Sequence, residues 1–364
     1  MEIIARTYDT KIGSSGIEKA LRSGNSIVVS VVTQDCSNAS SDQTFQMFSE
    51  KFIKLKELSG KEHKTIIFYK SLLARINPII GDCLLSAITP VEIEDLYINL
   101  AKTGQNKNTG DKLSSKTILE HLRLISAIYD VAIARGLVIM NPVKSIDKPK
   151  VIHKKANYFQ PSELHEIHDA LIDEPLKWKL MTLLLMYTGC RRAEIVGLSW
   201  KNVNFPANVI NINRTILYSS DKGIYESTTK TPESNRSLKL PSEAIELLNM
   251  QRELQLERKK ALGDRWKNSD YVFTQEDGSP MHPDSITSWL SDFSKRHGLP
   301  HINPHAFRHT MASMLIYKGV DIANVSKYLG HSSIRTTLST YTHIIDEYNA
   351  SKEKMIIGDI IMEI

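Results

Sequence analysis

The chain has 364 residues, of which 41% are hydrophobic and 24% charged, and a formal net charge of +5. Such a length is long for one core and points to two or three domains, while the mild positive balance permits a nucleic-acid partner without requiring one. Three widely separated cysteines, Cys36, Cys83 and Cys190, argue against a disulfide framework or a cysteine-rich zinc site. With no signal pattern and no apolar run long enough for a bilayer, a cytoplasmic protein with no membrane partner is expected.

In chain order, residues 1–42 form a short N-terminal segment or arm. Ile27-Val28-Val29-Ser30-Val31-Val32 reads as a strand, followed by the polar run Ser37–Asp42. Residues 43–140 read as a helical domain. Phe45, Phe48, Phe52 and Leu55 recur at helical spacing, and a second helix covers Lys64–Arg75, before a turn at Asn77-Pro78. Thr89-Pro90-Val91-Glu92 carries a helix N-cap, a proline at the first position and a capping-box glutamate. A long helix from Ser115 to Arg135 puts Ile118, Leu122, Ile125 and Ile128 on one stripe and stops at Gly136.

Residues 141–157 read as an extended basic linker. Two prolines resist helix, and Lys144, Lys148, Lys150, Lys154 and Lys155 stand against the single acid Asp147. A solvated connector and a strap lying on phosphates both fit. Residues 158–347 read as a mostly helical domain with a small sheet. Helices open at Pro161 and near Trp178, strands are expected at Val209–Ile212 and within Gly223–Leu240, and helices return from Pro283. The tail 348–364 is more apolar than a free terminus should be and is expected to pack against protein.

Five motifs in the second half carry chemistry. Thr188-Gly189-Cys190-Arg191-Arg192-Ala193-Glu194 puts Arg191 just past a helix stop, where a guanidinium fork matches two phosphate oxygens. Lys230, in Thr228–Pro232 near a turn between strands, could reach into a site and donate a proton to a departing oxygen. His305-Ala306-Phe307-Arg308-His309 sets His305 and Arg308 on one helical face. His305 and His309 also have zinc spacing, but Ala306 stands where the zinc-protease pattern needs glutamate, so no metal is expected. Leu329-Gly330-His331 and Thr340-Tyr341-Thr342-His343 complete the set, ten residues separating His331 from Tyr341. Alone, each reads blandly: a surface arginine, a loop lysine, a capping histidine, a core tyrosine.

Together, in this order, they resemble the tyrosine recombinase (phage integrase) family, most like the integrases of phages and conjugative transposons. The resemblance rests on Thr188–Glu194, His305–Thr310 and Leu329–His343. It implies a two-domain DNA clamp, mainly α with a small sheet, in which a helical core-binding domain precedes an α+β catalytic domain. It implies that Arg191 and Arg308 hold a scissile phosphate, that Lys230 protonates the 5′-hydroxyl and that His305 assists proton transfer. His331 would orient the phosphate, Tyr341 would attack it, and Glu194 would support the site. No metal, ATP or other cofactor is implied. The implied partners are double-stranded attachment sites, three further protomers in a tetramer, and accessory DNA-bending or excision-directing proteins. It implies that the tail 348–364 docks on a neighbouring protomer; packing on its own chain is the alternative. A chromosome-dimer resolvase, a type IB topoisomerase-like enzyme and a non-catalytic architectural DNA-binding protein are the alternatives.

Overall fold

The computed structural model describes residues 43–106, 109–151, 158–228, 235–342 and 344–346. The expectations for the arm 1–42, for Lys154, Lys155 and Lys230, and for the tail 348–364 therefore lie outside the described residues. The chain divides into two compact units after His153. Among the described residues, no helix is long and apolar enough to cross a membrane.

The first unit is built from α1 (Phe45–Leu58), α2 (His63–Ile80), α3 (Pro90–Thr103) and α4 (Ser115–Ala134). Its core follows the sequence stripes: Phe45, Phe48 and Phe52 pack with Ile76, Ile93, Leu96, Leu122, Ile125 and Ile128. Thr89 caps α3 through its hydroxyl, and its own N–H donates to Glu92 at 2.8 Å, the capping box expected from sequence. One expectation fails here. The turn at Asn77-Pro78 is absent, because α2 runs through Pro78 to Ile80. Pro78 lies in the last turn, where Ile76 and Ile80 are both buried, and that burial offsets the lost backbone bond.

The basic stretch also differs from an extended linker at its start. Asn141 caps a short 3₁₀ turn at Pro142–Lys144, and Val143 and Ile146 are buried in the first unit's core. Lys144 pairs with Asp130 at 2.8 Å, while Lys148 and Lys150 are exposed.

The second unit comprises α5 (Pro161–Ala170), α6 (Leu176–Thr188), the short α7 (Arg192–Val196), strands β1 (Val203–Asn204), β2 (Val209–Ile212), β3 (Arg214–Ser219), β4 (Gly223–Thr228) and β5 (Arg236–Lys239), then α8 (Ser242–Leu262), α9 (Ser285–Arg296), α10 (Pro304–Tyr317) and α11 (Ile322–Leu329). Residues 334–342 and 344–346 are again helical. Strands β1, β2 and β5 form one antiparallel sheet, and β3 pairs with β4 in a hairpin. Helix α6 is buried along most of its length, with Leu180, Met181, Leu183, Leu184 and Leu185 fully enclosed. A helix apolar on every side belongs at the centre of its domain, and this one delivers its C-terminus, Gly189, to the middle of the unit.

Gly189 ends α6 in the left-handed region, φ +60°, with Met311 3.1 Å from where a Cβ would sit. Gly189→Ala should therefore destabilise the second unit by about 1–2 kcal/mol, the usual cost of a left-handed L-residue. A shift of the urea midpoint reads this; an unchanged midpoint would mean the turn is free to rewind.

Candidate active site

Arg308 is the largest fully buried side chain of the second unit. Its helix starts where Asn303 accepts the N–H of His305 at 2.9 Å, with Pro304 at the first position. From α10 the guanidinium donates to the carbonyl of Gly189 at 3.0 Å and to that of Leu329 at 2.6 Å. Those carbonyls end α6 and α11, so one side chain ties together three motifs that lie far apart in sequence. Two of its five N–H donors are used in this way. Burial first, then the neighbouring charge of Arg191, lowers its pKa to about 10, still well above neutrality.

Arg191 N-caps α7. Its backbone N–H donates to Glu194 at 2.8 Å, its Nη1 donates to the same carboxylate at 2.8 Å, and Nη2 lies 3.5 Å from the carbonyl of Gly330. Its side chain keeps 39% exposure, enough to meet a ligand from solvent. The adjacent Arg192 turns away to Asp284 and Thr287, so only one of the two arginines belongs to the site.

Glu194 is buried and shared. Arg236, first residue of β5, donates to it at 2.8 and 3.3 Å and to the thiol of Cys190 at 3.2 Å. Burial would push the Glu194 carboxyl up, but the charge and hydrogen bonds of Arg236, with Arg191, hold it down at about 2. Sequence reasoning gave Arg236 no role. The signal was present in principle: a buried carboxylate needs a cation, and one arginine facing solvent does not suffice.

Gly330 closes α11 at φ +67°, and a Cβ there would sit 2.8 Å from Arg236 Nη1. The turn it makes presents His331, whose Nδ1 lies 2.8 Å from the hydroxyl of buried Thr337. Burial, then Arg308 and Arg191, press the His331 pKa down to about 3. His305 is exposed. Partial loss of water around its ring, followed by Arg308, Arg191 and Arg192, lowers its pKa as well.

Tyr341 is 1% exposed. Its hydroxyl lies 2.7 Å from Nδ1 of His309, the residue after Arg308. Burial pushes the phenol up to about 12, with Arg308 opposing the shift. The same burial, with His305 and Arg308, takes His309 down to about 4. His309 was weighed from sequence only as a zinc ligand; its place beside the tyrosine was missed. Five of the six expected catalytic side chains thus lie along one connected set of contacts and charges. The sixth, Lys230, lies outside the described residues, in the chain between β4 and β5.

A groove of about 940 Å³ runs beside this cluster, lined by Arg236, Ser326, Tyr328, His331 and Ile334 among others. Neither Arg308 nor Tyr341 lines it. The cluster's accessible members, Arg191 and His305, sit at the surface rather than inside an enclosed cavity. That arrangement suits a phosphate carried on a large substrate better than a small molecule engulfed by a pocket.

Comparison with known proteins follows the same lines. Residues 157–347 match the family described as "Phage integrase family", and residues 44–151 match "Phage integrase SAM-like domain". The chain is 27% identical over 281 residues to the ICEBs1 integrase of Bacillus subtilis, covering 76% of this chain and 74% of that one. It is 31% identical over 278 residues to a tyrosine recombinase XerC-like protein of Caldanaerobacter subterraneus, covering 72% and 68%. The fold matches the Tn1549 transposon integrase in complex with transposon right-end DNA, with TM-score 0.71, 20% identity and coverage of 86% and 99%.

Two outcomes follow from the electrostatics. Arg236→Met should cost about 3 kcal/mol, the low end for breaking a buried pair because Arg191 remains. Adding Glu194→Gln should recover part of that loss in urea titrations. As pH falls below about 6.5, His309 and His331 resist protonation that the unfolded chain accepts, so stability declines. Below about 4.5, Glu194 adds a second decline that continues toward its folded value of about 2. Melting curves at several pH values between about 7 and about 3 test this; no change over the upper half would contradict buried neutral imidazoles.

Proposed function

Because this chain belongs to the phage integrase family, we propose that it is a tyrosine-type site-specific recombinase that integrates and excises a mobile DNA element. The observation that carries the reading is the convergence on Arg308: its two carbonyl bonds bring Arg191, His331 and the Tyr341 region to one place.

Geometry and charge support these roles for the described residues, and the family resemblance supplies that of Lys230. Arg191 and Arg308 grip the non-bridging oxygens of the scissile phosphate, and Glu194 holds the Arg191 fork in place. Tyr341 attacks phosphorus in line, forming a 3′-phosphotyrosine as the bond to the 5′-oxygen breaks. Lys230 gives that oxygen its proton, and His305 assists. His331, fixed on Thr337, orients the phosphate. Fixed positive charge stabilises the transition state in place of a metal ion. The phosphodiester energy is kept in the tyrosine ester, so rejoining needs no ATP.

Double-stranded attachment-site DNA is the partner. Exchanging both strands of two duplexes takes four cleavages, hence four protomers. Lys144, Lys148, Lys150, Lys154 and Lys155 add phosphate contacts along the connecting stretch, which makes affinity fall steeply with salt. The apolar tail 348–364 docks on a neighbouring protomer, and accessory bending or excision proteins set direction.

A nicked duplex taken from the DNA flanking the gene traps the intermediate, because the short cleaved strand diffuses away. Wild-type protein should give a slow covalent band on a denaturing gel, undiminished by EDTA, and Tyr341→Phe should give none. A band that survives in Tyr341→Phe moves the nucleophile elsewhere, and a band abolished by EDTA rules out metal-free transfer. Deleting Gly358–Ile364 should weaken DNA-dependent tetramers while leaving cleavage of the nicked duplex; unchanged assembly overturns docking between protomers.

A further inference from the structure

We infer that His309 is a catalytic residue: its Nδ1 accepts the hydroxyl proton of Tyr341 as the tyrosine attacks, and returns it when the strand is rejoined. This rests on the assignment of Tyr341 as nucleophile.

The geometry is direct. The Tyr341 hydroxyl is 2.7 Å from His309 Nδ1, and the two rings meet edge to face at 5.6 Å. The tyrosine is almost wholly enclosed, so water is a poor proton acceptor for it. His309 follows Arg308 in α10, so the proton acceptor and the phosphate grip share one rigid element. Its other neighbour is His305, whose ring is perpendicular to it at 4.9 Å and which reaches the surface. Protons taken up at His309 thus have a second imidazole beside them, on the side where a DNA phosphate would lie.

The charges around His309 make the step conditional on substrate. Burial first, then His305 and Arg308, which face it, oppose a proton on its ring without DNA. A phosphate seated on Arg308 cancels part of the charge contribution, while the burial remains. His309 then becomes more basic when the nucleophile must lose its proton. The balance of the step is complete. The Tyr341 O–H bond breaks and its proton goes to Nδ1. The oxygen–phosphorus bond forms, the phosphorus–O5′ bond breaks, and the 5′-oxygen takes a proton from Lys230.

Two experiments decide it. In the free protein, nitrogen-15 spectra of the histidines should place the His309 proton on Nε2, leaving Nδ1 as acceptor, and Tyr341→Phe should shift the Nδ1 resonance. A proton on Nδ1 overturns the inference. In single-turnover cleavage of the nicked duplex, His309→Asn keeps a polar group near Nδ1 but cannot take the proton. Adduct formation should slow by about 10²–10⁴-fold, with DNA binding and melting temperature as controls for folding. If His309→Asn does not fold, His309→Gln takes its place in the same assay. A bridging sulfur in place of the 5′-oxygen leaves without a proton, so it should rescue Lys230→Ala and leave His309→Asn slow. Wild-type speed in His309→Asn, or rescue by sulfur, overturns the role. If Tyr341→Phe stays inactive in that event, the nucleophile assignment stands and only His309 falls; if Tyr341→Phe forms the adduct, both fall.

Discussion

The buried guanidinium of Arg308 spans the carbonyl ends of α6 and α11, and every other feature of the site is arranged around that bridge. Each of those helices stops at a left-handed glycine, Gly189 or Gly330. A helix end leaves carbonyls unsatisfied, and here the last turns of both helices hand one to the same side chain. Burying a guanidinium is expensive, and two carbonyl acceptors cover only part of its capacity. On the proposed reading, a scissile phosphate supplies acceptors and negative charge that the two carbonyls do not.

Burial and charge also set the state of the other groups. Three guanidiniums, Arg191, Arg236 and Arg308, surround the one carboxylate of Glu194. Burial first, and then the surrounding positive charge, holds His305, His309 and His331 below their ordinary pKa values. Neutral imidazoles can accept a proton or hydrogen bond, which charged ones cannot. On the proposed reading, a single arrangement therefore attracts phosphate and keeps the imidazoles neutral for proton transfer. Tyr341, meanwhile, is enclosed, and burial holds its phenol protonated.

Much of the fold was legible because local chemistry and tertiary packing agreed. Thr89-Pro90 begins a helix by capping alone, and the stripes at Phe45–Phe52 and Ile118–Ile128 are core because their spacing leaves no other use for them. Disagreement appeared where tertiary burial overrode a local rule, as at Pro78, or where a helix was mostly polar. Helix α8 escaped notice because only Ala244, Ile245, Leu248, Gln251 and Gln255 of its twenty-one residues are buried; two of those are glutamines, whose amides serve backbone carbonyls of 271 and 272. Val143 and Ile146 were read as linker because two apolar residues among lysines carry no periodicity. In the site, residue type and order located Arg191, Arg308 and Tyr341. Arg236 and His309 needed the fold, since each matters through a partner forty-two and thirty-two residues away.

The pairing of Glu194 with Arg236 has a consequence for how this chain changes over generations. Neither side chain has room or water to stand alone: side-chain exposure is 1% for one and 5% for the other. Loss of either strands the other's charge in the interior, whereas joint replacement by neutral groups of similar size leaves nothing stranded. The two positions are thus locked into a single heritable unit that crosses from α7 to β5. Gly330, pressed against the same guanidinium, is held to glycine twice over: a lineage that shrank Arg236 would clear the space, but the left-handed backbone at φ +67° would still favour glycine.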